Sequence, residues 1–155
     1  MDIYLDTCAL NRLSDDQTQQ RIRDEADAVQ RILDLAFAGK LRWIASTVVQ
    51  YEVGRTPDPV RRLASLKLVD SAAETVRPDA ATHAAAQLLM SGGLKPIDSL
   101  HLAICNQARI NWLITTDDRF CKAAARAASS GSSEVLNPVE WLQQRHPWLL
   151  PSKKP

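Results

Sequence analysis

A chain of 155 residues with 45% hydrophobic and 24% charged residues is the size and composition of one globular domain, not of a disordered or fibrous protein. Its net charge of +1 gives no whole-molecule signature of nucleic-acid binding, and no run nears the roughly 18 apolar residues a membrane helix needs. The start, MDIYLDTC, lacks a basic segment followed by an apolar run, so no secretory signal and no membrane association are expected. Three cysteines, Cys8, Cys105 and Cys121, form no CxxC pair; they are expected to be reduced, mostly buried thiols, which points to the cytoplasm.

Apolar spacing alternates between short strands and longer helices. Ile3-Tyr4-Leu5 reads as a buried strand. From about Thr18 to Ala38, Ile22, Ala26, Val29, Leu33 and Ala36 recur at helical steps, a face stopped by Gly39. Residues 41–45 predict a second strand, and Ser46 can cap the helix that follows. Pro57-Asp58-Pro59 opens a helix running to about Leu66. Residues 67–78 carry little pattern beyond a short strand. Asp79 should cap a helix with Ala81, Ala84, Ala85, Leu88 and Leu89 inward, ended by Gly92-Gly93. Pro96 opens the next, with Ile97, Leu100, Ile104 and Ala108 as its buried stripe. A strand at 112–115 precedes a helix from about Asp118 to Ala128, and 129–133 is a loop. Val135-Leu136 reads as an edge strand, and Asn137-Pro138-Val139-Glu140 has the residues of a capping box. Trp148-Leu149-Leu150 is an apolar patch near the end. The alternation predicts an α/β fold, a mainly parallel central sheet flanked by helices.

Ligands of such sheets bind beyond the carboxyl ends of the strands. Asp6 follows the first strand and Asp117 follows the strand at 112–115, so both fall on that edge. Taken singly, each reads first as a helix cap. Glu52 shares a helix face with Val48 and Val49, where a carboxylate is costly unless paired, protonated or bound to a cation. Asp98 sits in a first helical turn, where the helix dipole alone favours a negative charge. His101, one turn on, is either a structural core histidine or a hydrogen-bonding neighbour of these acids. Two such charges about 5 Å apart cost roughly 3 kcal/mol at an effective dielectric near 20. A hard divalent cation would remove that cost and activate water against a phosphodiester. Neither a serine or cysteine triad nor a P-loop is evident. By segment, acids dominate residues 1–27, and basic side chains dominate 39–67 (Lys40, Arg42, Arg55, Arg61, Arg62 and Lys67). Such asymmetry is compatible with an acidic pocket beside a basic rim, and equally with solvated surface.

The segments IYLDTCALNRL (3–13), STVVQYEV (46–53), KPIDSLHLAICNQA (95–108) and WLITTDDRFCKAA (112–124) together resemble the PIN-domain family, which includes the VapC-like ribonuclease toxins. D-S-L-H-L-A combined with T-T-D-D-R-F is specific; each segment alone is weak. The resemblance implies a single PIN domain over 1–146 with a short tail at 147–155. It also implies a magnesium- or manganese-dependent endoribonuclease acting on RNA. By motif, Asp6, Glu52, Asp98 and Asp117 match the family's metal-holding and catalytic acids. Thr115 matches a threonine that orients Asp117 or the attacking water, and Asp118 stands outside the metal set. Cys8 is a departure: many members carry asparagine or serine there.

The resemblance leaves open a toxin with a small antitoxin partner, a housekeeping nuclease and a homodimer. The alternative is a PIN-like module without catalysis that binds RNA or protein and keeps its acids as caps. A dehalogenase-like phosphatase would want an aspartate where Cys8 stands, and a receiver domain a lysine that TTDD does not offer. For the nuclease reading, Arg12, Arg55, Lys95 and Arg119, each close in sequence to a motif acid, are expected to form the rim that meets RNA phosphates.

Overall fold

Strand β1 (Asp2–Leu5) is apolar at three successive positions because it lies in the middle of a sheet covered on both faces: Ile3, Tyr4 and Leu5 are all buried. A computed structural model describes residues 1–145. The end of the expected domain at 146, the tail and the patch at 148–150 lie outside the described residues. On one side β1 pairs with β2 (Arg42–Ser46), which pairs with β3 (Glu74–Val76); on the other it pairs with β4 (Trp112–Ile114), which pairs with β5 (Glu134–Leu136). Every pairing is parallel, with Tyr4 level with Ile44 on one side and Leu113 on the other. The expected parallel α/β architecture is therefore the observed one, and β5 is an edge strand as read.

Parallel pairing sends every connection back across a face of the sheet, and helices make those crossings. They are α1 (Thr7–Asn11), α2 (Gln20–Phe37), α3 (Thr47–Gly54), α4 (Pro59–Asp70), α5 (Ala80–Ser91), α6 (Pro96–Gln107) and α7 (Asp118–Ala127); α8 (Pro138–Arg145) follows the last strand. Ser46 caps α3 through its hydroxyl, which accepts from the Val49 N–H, and Asp79 and Thr82 close a reciprocal box at the start of α5. Helix α2 stops at Gly39, whose φ of 73° is the left-handed turn a side chain would resist.

Three readings need correction. The five-residue α1 was not anticipated; it is too short to show a period and exists because Asp6 caps it. Helix α4 runs one turn past Leu66, where Val69 is fully buried. The inward faces of α5 and α6 differ from the periodic stripes. Helix α5 packs chiefly on α6, not on the sheet, so it buries Thr82 and Ala86 and leaves Ala81, Ala84, Ala85 and Leu88 exposed. Helix α6, between α5 and the sheet, is covered nearly all round from His101 to Cys105, while Ile97 and Ala108 at its ends are exposed.

One buried acid ties the layers together. Glu25, 1% exposed on α2, accepts from Arg12 Nε at 3.2 Å, from Arg21 Nε at 3.2 Å and from Asn137 Nδ2 at 2.6 Å. It joins the turn after α1, helix α2 and the start of α8. Removing one partner of a buried charged network strands the other, at about 3–5 kcal/mol, whereas an exposed pair is worth about 0–1. Glu25→Ala should therefore lower unfolding stability by about 3 kcal/mol in denaturant melts. Asp118→Ala, which breaks the exposed pair with Arg21, should cost under about 1 kcal/mol. Equal losses would refute this role for Glu25.

Candidate active site

Residues at or just past the ends of the three central strands meet on one edge of the sheet. Asp6 follows β1, α3 with Glu52 follows β2, and Thr115 to Asp117 follow β4. Asp98, in the first turn of α6, reaches the same place from the helix that precedes β4.

Glu52 is placed by a chain of buried polar groups. Its Oε1 accepts from the Thr7 hydroxyl at 2.8 Å and from His101 Nε2 at 2.7 Å. The carboxylate can only accept, so Nε2 carries a proton. On its other side Nδ1 lies 2.6 Å from the Tyr4 hydroxyl, and Tyr4 in turn lies 2.7 Å from the Ser46 hydroxyl. Burial pushes Glu52 up, but the bond and charge of His101 and the Thr7 hydroxyl outweigh it, leaving the group below its ordinary value. His101 is thus both things the sequence allowed: 2% exposed in the core, and bonded to a motif acid.

Asp6 and Asp117 likewise combine both readings. Asp6 Oδ1 accepts from the Ala9 N–H at 2.9 Å and caps α1; Asp117 Oδ1 accepts from the N–H groups of Arg119 and Phe120 at 2.9 and 3.3 Å and caps α7. The fully buried Thr115 links them, since its hydroxyl bonds the Asp6 carboxylate and accepts the Asp117 N–H at 3.2 Å. Burial pushes Asp6 up to about 6, against the pull of His101, Thr115 and Ala9 and with a further push from Asp98. Asp98 is also raised, by its half-burial and then by Asp117 and Glu52, against His101 and Lys95. The Cys8 thiol is pushed up to about 12 by desolvation and by the charges of Asp6, Asp117, Glu52 and Asp98. All four acids act on that one sulfur. Cys8 itself is exposed, contrary to the expectation of mostly buried thiols; Cys105 is buried and Cys121 half-buried.

Among the described residues no three His, Cys, Asp or Glu side chains stand close enough to hold a metal ion between them. As placed, one oxygen of each of Asp6, Asp117 and Glu52 serves the protein instead. The donor chemistry still suits a hard divalent cation. The acids offer only oxygens, Asp6 and Asp98 are raised by neighbouring acids, and Asp117 Oδ2 and Glu52 Oε2 stay clear of the hydrogen bonds that hold their partner oxygens. Magnesium needs only one or two carboxylates, with waters and phosphate completing its shell.

The expected basic rim divides. Arg12 is committed to Glu25 and Asp15, and Arg55 lies over the Tyr51 ring with a bond to its hydroxyl. Lys95 and Arg119 line two clefts beside the acids, one with Asp98 and one with Asp117, and Arg12 lines the second with them while keeping its ion pairs. Sequence reasoning missed Tyr4, Thr7 and Ser46 as supports of Glu52. Tyr4 sits in an apolar run, where a hydroxyl gives no periodic signal.

A family model described as PIN domain matches residues 3–126. A search of curated protein sequences finds no match. Among solved structures, a chain of VapBC2 from Rickettsia felis, bound to a DNA fragment from their promoter, superposes with a TM-score of 0.62 at 16% identity, covering 88% of this chain and 98% of that one. A chain of FitAB bound to the IR36 DNA fragment gives 0.57 at 15% identity, covering 98% and 99%. At these identities the likeness is one of fold.

The raised Asp6 carboxyl gives a signed pH dependence. An acid whose native value exceeds its ordinary 3.8 contributes stability that is whole below that value and lost as pH rises through about 6. The shift of about two units corresponds to about 3 kcal/mol. In chelator, Asp6→Asn keeps a capping oxygen and removes the charge. It should raise stability at pH 7.5 by about 1–3 kcal/mol and give no such gain near pH 4. The same change at both pH values in thermal melts would show that the buried charge is not what costs stability.

Proposed function

The chain belongs to the PIN-domain family, and we propose that it is a magnesium- or manganese-dependent endoribonuclease, the toxin of a toxin–antitoxin pair. PIN domains are generally nucleases. The observation that supports the reading is how the motif acids are tied together: Thr115 bonds both Asp6 and Asp117, and Glu52 bonds Thr7, next to Asp6, and His101, one turn after Asp98. As structural caps alone, Asp6 and Asp117 need not face Asp98, and Glu52 would not need its own chain of buried donors.

In this reading Asp6, Asp98 and Asp117, with Glu52, hold the ion. A bound divalent cation supplies Lewis-acid stabilisation of charge on the phosphate and eases deprotonation of the attacking water. Thr115 sets the positions of Asp6 and Asp117 through its two hydrogen bonds. His101 and Thr7 fix Glu52, and the Tyr4 hydroxyl fixes His101. Lys95 and Arg119 receive the phosphate backbone. Water attacks phosphorus, the bond to the 3′ oxygen breaks, and that oxygen leaves with a proton. The products are 3′-hydroxyl and 5′-phosphate ends.

The likeness to chains of VapBC2 and FitAB supports a small antitoxin partner. Exposed apolar side chains such as Val60, Leu63 and Leu88 offer surface for it or for a second copy of the chain. No helix among the described residues is long and apolar enough to cross a membrane, and the free cysteines suit the cytoplasm.

Single-stranded RNA incubated with the protein and Mn2+ should be cut to 3′-hydroxyl ends and spared in chelator. Asp98→Asn should slow cutting by two or more orders of magnitude, roughly the loss of about 3 kcal/mol of transition-state stabilisation. Cleavage persisting in chelator, or 2′,3′-cyclic phosphate ends, would sink the mechanism. Metal binding without any cleavage would select the PIN-like binding module instead.

A further inference from the structure

We infer that the cleft between the start of α6 and the exposed face of α7 is a track for the RNA backbone leading away from the acids, with Lys122 and Arg126 as contacts beyond Lys95 and Arg119. The inference rests on the nuclease reading above and deepens it by giving the substrate strand a direction. The cleft, about 370 Å³, is lined by Gly93, Lys95 and Asp98 on one wall and by Arg119, Lys122 and Arg126 on the other, over the buried Phe120 and Ala123.

Arg119, Lys122 and Arg126 recur at steps of three and four residues, so they form one stripe along α7. Like charges at that spacing destabilise a helix by about 0.2–0.5 kcal/mol per pair. Lys122 feels the charge of Asp118 one turn earlier, but among the described residues none of the three cations enters an ion pair. The contrast with other cations is sharp: Arg12, Arg21, Arg42, Arg61 and Arg145 are each bound to a carboxylate. Lys95, on the facing wall, lies near the charge of Asp98 and enters no ion pair among the described residues. Four exposed cations in a cleft whose one acid, Asp98, belongs to the candidate site, and beside which Asp118 is already held by Arg21, suit a polyanion that starts at the acids. At 1.5 Å per residue the stripe extends about 10 Å from Arg119 to Arg126. A helix face presents charges at fixed intervals and favours a chain with a charge on every unit. Cations without fixed partners read no base, so the track should be indifferent to sequence.

The test measures binding of a fluorescent single-stranded RNA in chelator, where no cleavage occurs, and cleavage of the same RNA in Mn2+. The double variant Lys122→Ala/Arg126→Ala is compared with Arg23→Ala, which lies far along the chain on α2. The double variant should bind RNA about tenfold more weakly whatever its sequence, and its salt slope should flatten by about 1.4, at about 0.7 per lost phosphate contact. Cleavage at saturating RNA should be retained, since neither residue touches the acids. Unchanged affinity and slope in the double variant, while wild type still cleaves, overturns the track and leaves the nuclease reading standing. Wild type that binds RNA through these residues but never cleaves it keeps the track and overturns the nuclease reading. Binding of poly-L-glutamate through the stripe, without RNA binding, assigns the cleft to an acidic peptide and overturns the track.

Discussion

Carboxylates gathered on the edge of a sheet repel one another and lose hydration together, and much of the local structure around them answers to that cost. A parallel sheet makes the gathering unavoidable, because strands that all run one way deliver their ends to one edge. The protein answers with neutral donors more than with charges. Asp6 and Asp117 each spend one oxygen on backbone N–H groups at the start of a helix, where the helix dipole also favours a negative charge. Glu52 spends one on Thr7 and His101. Only Asp98 lacks such a cap, and it is raised by its neighbours. Desolvation outweighs the donors at Asp6, whereas the donors prevail at Glu52. The acids therefore do not form one uniform cluster. They range from a deeply buried group whose proton affinity is raised to a half-buried one whose proton affinity is lowered.

The core supplies the support that Glu52 needs. Tyr4 and Ser46 belong to neighbouring strands and His101 to the helix above them, so the chain Ser46–Tyr4–His101–Glu52 crosses from the sheet to the site. A buried hydroxyl without a partner would cost about 1–3 kcal/mol; here each has one. Burial pushes the Tyr4 phenol well above its ordinary value, so it stays protonated and can keep donating. Packing and site geometry are thereby joined: a shift of α6 against β1 would move His101, and His101 would move the Glu52 carboxylate.

The elements with long or strong patterns were legible in the sequence. Helix α2 shows its face over five turns, and Ser46, Asp79 and Asp58 mark starts by their side chains. The parallel sheet followed from the alternation. What failed has a common cause: a periodic stripe identifies a face, not what covers it. In α5 the alanines and Leu88 share a face, but α6 is the neighbour and covers a different one, so those side chains stay in water. In α6 the surroundings cover almost every side in mid-helix, and no stripe can show that. The acids were legible by their place after strands and by family motif. Their supports were not, because a tyrosine in a buried run and a threonine after an aspartate look like ordinary packing and capping.

Charge shows the same limit of linear reading. The basic run at 39–67 suggests a cationic surface, yet in the fold Arg42 joins Asp2 and Glu74, Arg61 joins Asp15, Arg62 bonds the Thr56 carbonyl, and Arg55 rests on Tyr51. Arg12 and Arg21 are consumed by Glu25. A cation held by a carboxylate has already used the attraction it could offer a phosphate, and transferring it costs whatever the first bond was worth. The cations of α7 have no such commitment, although their segment of sequence looks unremarkable and the molecule as a whole carries only +1. Affinity for a polyanion depends on the charges that folding leaves unspent, and here they lie beside the acids, where a bound strand would meet them first.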